Sequence, residues 1–233
     1  MINNKVQASK LGGGLQDFDI ADLPIQSIST KPHQFFKRVV DNDLDHLSKF
    51  LLKKYDEIEN KEVPGVSGFE ETKKELWVES KSTSTIKWRE YNVFQFHHDG
   101  LYNLLKSVKE MVQEACNYYE INFEDQKYMV QGWFNINYKN SGKLNWHDHG
   151  GKGAPLFHGY YSVKAEPTQT FYKTFDEIKT VENKNNVAIL SETGHPHAMG
   201  DWNWEGSRIT VAYDVSPLRS IRQAEEQHWF PLI

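Results

Sequence analysis

Cysteine is nearly absent from this chain: Cys116 is the only one in 233 residues. An internal disulfide is therefore impossible, and zinc sites built from several thiolates are excluded by arithmetic. Long apolar runs are also lacking. No stretch approaches the roughly 20 consecutive apolar residues that a membrane span needs, and the leading "MINNKVQASKLGGGLQDFD" has no continuous apolar segment of the signal-peptide kind. A cytoplasmic protein with no membrane partner is expected. Positive charge is not in excess, since 27 Lys and Arg stand against 32 Asp and Glu for a net charge of −5. That balance carries no electrostatic footprint for a polyanion, so no duplex nucleic-acid partner is expected. Internal repeats and low-complexity tracts are missing too.

What the chain has in quantity is aromatic side chains, with 7 Trp, 11 Tyr and 13 Phe, a supply that suits sheets better than helical bundles. Its length fits one domain with a real core. Residues 1 to about 31 are polar and contain the run Gly12 to Gly14, which reads as a leading strand or arm. From Phe35 to Ile58 the residues Leu44, Leu47, Phe50, Leu51 and Tyr55 recur at helical spacing behind Asp41 or Asn42 as cap. "NKEVPGVSGFEETKKE" mixes proline, glycine and charge and predicts a surface loop. A second helix is predicted where Leu101, Leu104, Leu105, Val108, Met111, Val112 and Ala115 form one stripe, with Asp99 as its cap.

After about residue 126 the period changes. "YMVQGWFNINY", "HGYYSVKAE", "TQTFYKTF", "NNVAILSE" and "SRITVAYDV" are short runs of aromatic and β-branched residues, separated by turn sequences such as "NSG", "GGKG", "KNN" and "WEGS". This pattern predicts an antiparallel sandwich or barrel.

"NWHDHGG" carries the chemistry. His147 and His149 are two apart, so an extended backbone points both imidazoles to one side, as two ligands of one metal require. His195 and His197 alternate in the same way in "ETGHPHAMGDW", and Arg208 follows 11 residues after His197 (208 minus 197). A second His-x-Asp lies in "FHHDG", as His97 and Asp99, but it leads straight into the predicted second helix. Its expected duties are cap and surface histidine. His158 is expected to pack or line a pocket, and His195 to be a loop neighbour. Trp133, Trp146, Trp202 and Trp204 are expected in packing, with Trp146 or Trp202 shaping a pocket beside the histidines.

The pieces "GWFNINYKNSGKLNWHDHG", "HGYYSVKAEP", "GHPHAMGDW" and "RITVAYD" together resemble the Fe(II)/2-oxoglutarate-dependent oxygenase superfamily, and within it the small bacterial and phage oxygenases with a His-x-His metal loop. The resemblance covers about residues 128 to 216. It implies a mainly β fold with flanking helices, a double-stranded β-helix or jelly-roll core. It implies one oxygenase domain over 1–233: an arm, strands and supporting helices over 1–125, the jelly-roll core with the metal site over 126–218, and a C-terminal tail over 219–233.

Carried over residue by residue, the resemblance makes His147, His149 and His197 the iron ligands. Arg208 pairs with the far carboxylate of 2-oxoglutarate, a task for which a planar, permanently charged fork is suited. Thr210 and Tyr138 are the further cosubstrate-binding positions. The superfamily usually has Asp or Glu where this chain has His149, so two arrangements stay open: three histidines, or Asp148 in the second ligand position. If His149 is the ligand, Asp148 is free to orient an imidazole.

The function implied is a dioxygenase that uses Fe(II), 2-oxoglutarate and O2 to hydroxylate a second substrate, with succinate and CO2 as products. A prolyl or other peptide or protein side chain is the favoured substrate class. Two other classes remain: a cupin-like three-histidine metalloenzyme that does not use 2-oxoglutarate, and a non-catalytic jelly-roll binding module.

Overall fold

Period-two runs in the second half of the chain need partners on both edges and cover on both faces, and among the described residues two main antiparallel sheets, a short two-stranded pair and two α-helices supply them. The computed structural model describes residues 27–59, 77–78, 91–139, 143–144, 146–149, 155–221 and 229–232. In chain order the strands are β1 (Phe36–Val39), β2 (Trp77–Val78), β3 (Tyr128–Tyr138), β4 (Lys143–Leu144), β5 (Phe157–Lys164), β6 (Gln169–Lys173), β7 (Ile178–Glu182), β8 (Val187–Glu192), β9 (His197–Met199), β10 (Ser207–Pro217) and β11 (Phe230–Pro231). The helices are α1 (Leu44–Glu59) and α2 (Asp99–Tyr119). The larger sheet runs β1-β8-β5-β10-β3-β11, the smaller β7-β6-β9, and β2 pairs with β4. This is a jelly-roll core with flanking helices. Of the predicted arm over 1 to about 31, residues 1–26 lie outside the described residues, and so does the whole predicted loop over 60–75.

Alternation along the strands divides the interior into two. Ile209, Val211, Tyr213 and Val215 of β10 join Phe134, Ile136, Tyr161 and Leu190 in one buried cluster with the stripe of α2 from Leu101 to Tyr119. Each fully buried Leu, Val or Met in that stripe contributes about 1.5–3 kcal/mol relative to exposure. The other face of the large sheet, with Trp133, Tyr160, Ile189 and Ala212, packs against Tyr172 and Val181 of the small sheet. The site lies between the sheets. Gly159 of β5 permits a close approach that no larger residue would, because an added Cβ would lie 2.3 Å from the Ile189 carbonyl and 2.4 Å from the Tyr213 ring.

The helix starts differ from expectation in an instructive way. The helical spacing predicts a helix from Phe35, yet Phe36–Val39 forms β1 and pairs with β8, because ladder bonds to a waiting sheet edge outweigh local periodicity. α1 is then capped by Asp43, whose Oδ1 accepts from the His46 N–H at 3.0 Å. Asn42 instead donates to the Gly100 carbonyl (2.9 Å) and to the Tyr161 hydroxyl (3.1 Å), tying the two helices to the sheet. For α2 the cap is His98, not Asp99: His98 Nδ1 accepts from the Gly100 N–H at 3.0 Å, and Asp99 is the exposed first helical residue. Among the described residues no helix is long and apolar enough to cross a membrane.

Candidate metal and cosubstrate site

His147 and His197 meet through their backbones. His147 N–H donates to the His197 carbonyl (3.1 Å) and His197 N–H to the His147 carbonyl (2.8 Å), so the metal loop is stitched to β9. Their ring centroids are 4.4 Å apart, and the His149 ring lies 5.4 Å from His147 and 5.3 Å from His197. One donor atom from each of the three lies within 4.8 Å of the others. Asp148, the alternative second ligand, is not part of that group.

The residue that orients this group is one the sequence reading passed over. Asp214, 7% exposed, accepts from His149 Nδ1, which stands 2.9 Å from Oδ1 and 3.0 Å from Oδ2. It also accepts from His158 Nδ1 at 2.8 Å. A carboxylate only accepts, so in both rings Nδ1 carries the hydrogen, and in a neutral ring Nε2 carries the lone pair. His149 Nε2 is buried without a hydrogen-bond partner, a donor atom held ready for a cation. Burial pushes the Asp214 carboxyl up, but the two histidines outweigh it and hold it well below the usual carboxylate range. Burial, then His149, lowers His158 to about 4. Burial, with the neighbouring His147, His158 and His149, pulls His197 well below its ordinary value. His158 and His197 are therefore neutral at physiological pH. Trp133 stacks on His149 with centroids 5.9 Å apart and planes 11° from parallel, fixing the ring from its free face.

Arg208 lies deeper on the same face. It is 3% exposed, and among the described residues no carboxylate comes within ion-pair distance. Its contacts are neutral: Nε donates to Thr168 Oγ1 (3.2 Å), and Nη1 approaches Thr210 Oγ1 (3.5 Å) and Met199 sulfur (3.7 Å). Burial lowers its pKa only to about 10, so it stays charged. Burying a cation without an anion costs several kcal/mol. Across the ladder Arg208 pairs with Asn137, whose side-chain amide is buried with neither its donor nor its acceptor used. The phenol of Tyr160, raised to about 12 by burial, is a further neutral neighbour of the guanidinium.

Thr210 shares the Arg208 face, as its spacing requires. Tyr138 does not. It pairs with Ser207, one position out of phase with the Asn137–Arg208 pair, and is 45% exposed; Asn137 takes the position beside the arginine. His97 is exposed at the start of α2, apart from the histidine group. His195 turns away from His197, with Nδ1 at 3.0 Å from the Lys173 carbonyl. Trp146 is buried, whereas Trp202 donates to the Gly206 carbonyl at 3.0 Å and braces the turn before β10.

No family model and no curated protein matches the chain. Solved structures do. A prolyl hydroxylase from Trichoplax adhaerens, in complex with a hypoxia inducible factor oxygen degradation domain peptide fragment, has a TM-score of 0.51 at 10% identity, over 82% of this chain and 86% of that one. A Pseudomonas putida prolyl-4-hydroxylase gives 0.49 at 10% identity over 78% and 92%. HygX from Streptomyces hygroscopicus, with nickel and 2-oxoglutarate bound, gives 0.47 at 10% identity over 80% and 83%. The chain thus has the fold of the Trichoplax prolyl hydroxylase, a jelly roll whose two sheets enclose the histidines and Arg208.

Proposed function

We propose that this protein is an Fe(II)- and 2-oxoglutarate-dependent dioxygenase that converts a C–H bond of a second substrate to C–OH, with 2-oxoglutarate and O2 consumed and succinate and CO2 released. One observation carries the reading: three histidine donors converge between the sheets, which also enclose a buried arginine with no carboxylate partner among the described residues. The donor set fits Fe(II), because three imidazoles on one face leave positions open for a keto acid and oxygen. His147, His149 and His197 would hold the metal, and Arg208, with Thr210, the far carboxylate of 2-oxoglutarate.

Bound iron supplies the oxidising chemistry. The chain's own residues do the rest. Asp214 fixes the His149 tautomer and ring plane through Nδ1, and the backbone bridge between His147 and His197 fixes their separation. Arg208 selects a dicarboxylate by charge and fork geometry, while the burial around it excludes the water that would screen that charge. The unused amide of Asn137 offers a donor and an acceptor to the same ligand.

A three-histidine metalloenzyme that ignores keto acids uses the same imidazoles but leaves the Arg208 cation buried without a partner, which is why we favour the oxygenase. A non-catalytic jelly-roll module gives no account of a His149 ring whose Nδ1 is held by a buried carboxylate while its Nε2 has no partner among the described residues. For the second substrate we favour a prolyl or other side chain of a peptide or protein, in line with the peptide bound to the Trichoplax neighbour. A cytoplasmic location belongs to the same reading. The test is incubation with Fe(II), 2-oxoglutarate, O2 and a lysate digest, following succinate and the gain of one oxygen by a peptide. Both should appear with wild type and vanish with His197→Ala; succinate release that survives His197→Ala would refute the assignment.

A further inference from the structure

A second cluster of donors sits outside this site, where the end of β8 meets the segment before β1. The Glu192 side chain is fully buried. Its Oε2 accepts from the Ser27 hydroxyl (2.8 Å) and the Ile28 N–H (2.9 Å), and its Oε1 from the Tyr119 hydroxyl (3.4 Å). Burial pushes this carboxyl up, but His195 and the bonds from Ile28 and Ser27 together leave it below its ordinary value, so it is a carboxylate. His195 Nε2 stands 3.4 Å from Glu192 Oε1. Because His195 Nδ1 faces the Lys173 carbonyl, which only accepts, Nδ1 holds the hydrogen, and in the neutral ring Nε2 turns a lone pair toward the carboxylate.

His33 completes the group. Its ring centroid is 4.0 Å from that of His195, and the residue is 8% exposed. Among the described residues neither of its ring nitrogens has a hydrogen-bond partner. Burial, followed by the neighbouring His195, lowers its pKa to about 3, so it is neutral with a lone pair unused. One donor atom from each of His33, Glu192 and His195 lies within 4.8 Å of the other two. Buried acceptors that converge with nothing between them are costly, and one divalent cation would satisfy all three. Tetrahedral bonds of about 2.0–2.2 Å to nitrogen and oxygen place neighbouring ligands roughly 3.3–3.6 Å apart, and the His195–Glu192 separation is 3.4 Å.

We propose that His33, Glu192 and His195 form a second metal site, structural in purpose, for Zn(II) or a similar first-row divalent ion that takes imidazole and carboxylate together. Soft-metal sites need thiolates, and Mg(II) or Ca(II) sites need more oxygen, so the donor set is selective. Three protein ligands leave a fourth position for water, and burial of all three closes that position to substrate, which is why the purpose assigned is structural. The ion would pin the Ser27–His33 segment to the end of β8 and fix the turn that delivers His197 two residues later. Nothing in this inference depends on the proposed oxygenase activity. The competing account is a protonated His195 paired with Glu192, with His33 an aromatic edge against Phe35 at 4.6 Å.

The experiment is metal content per chain by mass spectrometry after stripping and re-equilibration with Zn(II), in wild type, in His147→Ala/His149→Ala, and in that double variant with His33→Phe added. Phenylalanine keeps an aromatic ring in a pocket already lined by Phe35, and circular dichroism checks that each variant is folded. Two ions, one ion and none are expected in that order, with Zn(II) raising the melting temperature of the double variant but not of the triple. A folded double variant that takes up no ion and shows no thermal shift overturns the proposal, and so does retention of its ion after His33→Phe. One ion in wild type that survives the double substitution and is lost with His33→Phe would uphold this site while removing the three-histidine one.

Discussion

Asp214 and His149 form a buried pair in which one carboxylate spans a single Nδ1–H, at 2.9 Å from Oδ1 and 3.0 Å from Oδ2. The contact leaves His149 Nε2 as the free donor beside His147 and His197. Loss of such an outer partner typically costs about 10- to 100-fold in metal affinity. Asp214→Asn is expected to weaken Fe(II) binding by that order, read by competition with a chelating dye, while the helical signal is preserved. Affinity equal to wild type would mean that the ring needs no orientation from Asp214.

Arg208 is charged, buried and, among the described residues, without a carboxylate partner. Arg208→Gln should weaken 2-oxoglutarate binding roughly 10- to 150-fold, the equivalent of the ~1.5–3 kcal/mol of a charge-assisted hydrogen bond, while Fe(II) affinity stays unchanged. Arg208→Lys should recover only part of the loss, because an ammonium lacks the bidentate fork. In the absence of ligand, Arg208→Met should be at least as stable as wild type, since it removes an uncompensated buried charge. Urea titration of the metal-free protein checks this, and strong destabilisation would point to a protein counter-ion.

The close approach at Gly159 joins the core to the site. Gly159→Ala pushes a methyl into the Ile189 carbonyl, 2.3 Å from the ideal Cβ position, and overpacking of this kind costs about 1–3 kcal/mol or more. The urea midpoint should fall without a change in slope, and His158 next door should shift with it. An unchanged midpoint would show that β5 and β8 separate easily.

Cys116 is fully buried and lies 3.3 Å from the Tyr128 hydroxyl. Burial raises its pKa, a rise only partly offset by that contact, so the reactive thiolate is scarce. A thiol reagent should label native protein no faster than it unfolds and label denatured protein at once. Rapid labelling of the native state would contradict the packing of α2 on the sheet.

Much of this site is visible in the sequence because strands repeat every two residues. Arg208 and Thr210 share a face by that rule alone, whereas His147 and His149 come together in a bend tied to β9 by an isolated bridge at His147. The same rule extended by two further steps reaches Asp214, six residues after Arg208 (214 minus 208), so the signal for the orienting carboxylate was present and unused. Tyr138 shows where the rule ends: which residue of β3 faces Arg208 depends on register between strands, and register comes from turns and packing. Asn137 could not be told from its neighbour without it. The N-cap of α2 fell to His98 because a histidine nitrogen can accept as a carboxylate does, although Asp99 has the stronger statistical preference. The His33–Glu192–His195 cluster joins residues about 160 positions apart in the chain (192 minus 33), a meeting that only the folded sheet reveals.

The most direct test of the account is anaerobic addition of Fe(II) and then 2-oxoglutarate, watching for the weak visible charge-transfer band of a chelated keto acid in wild type, Arg208→Gln and His147→Ala/His197→Ala. The account expects the band in wild type, a much higher 2-oxoglutarate requirement in Arg208→Gln, and no band in the histidine variant. Iron uptake at the three histidines with no band at any 2-oxoglutarate concentration would contradict it.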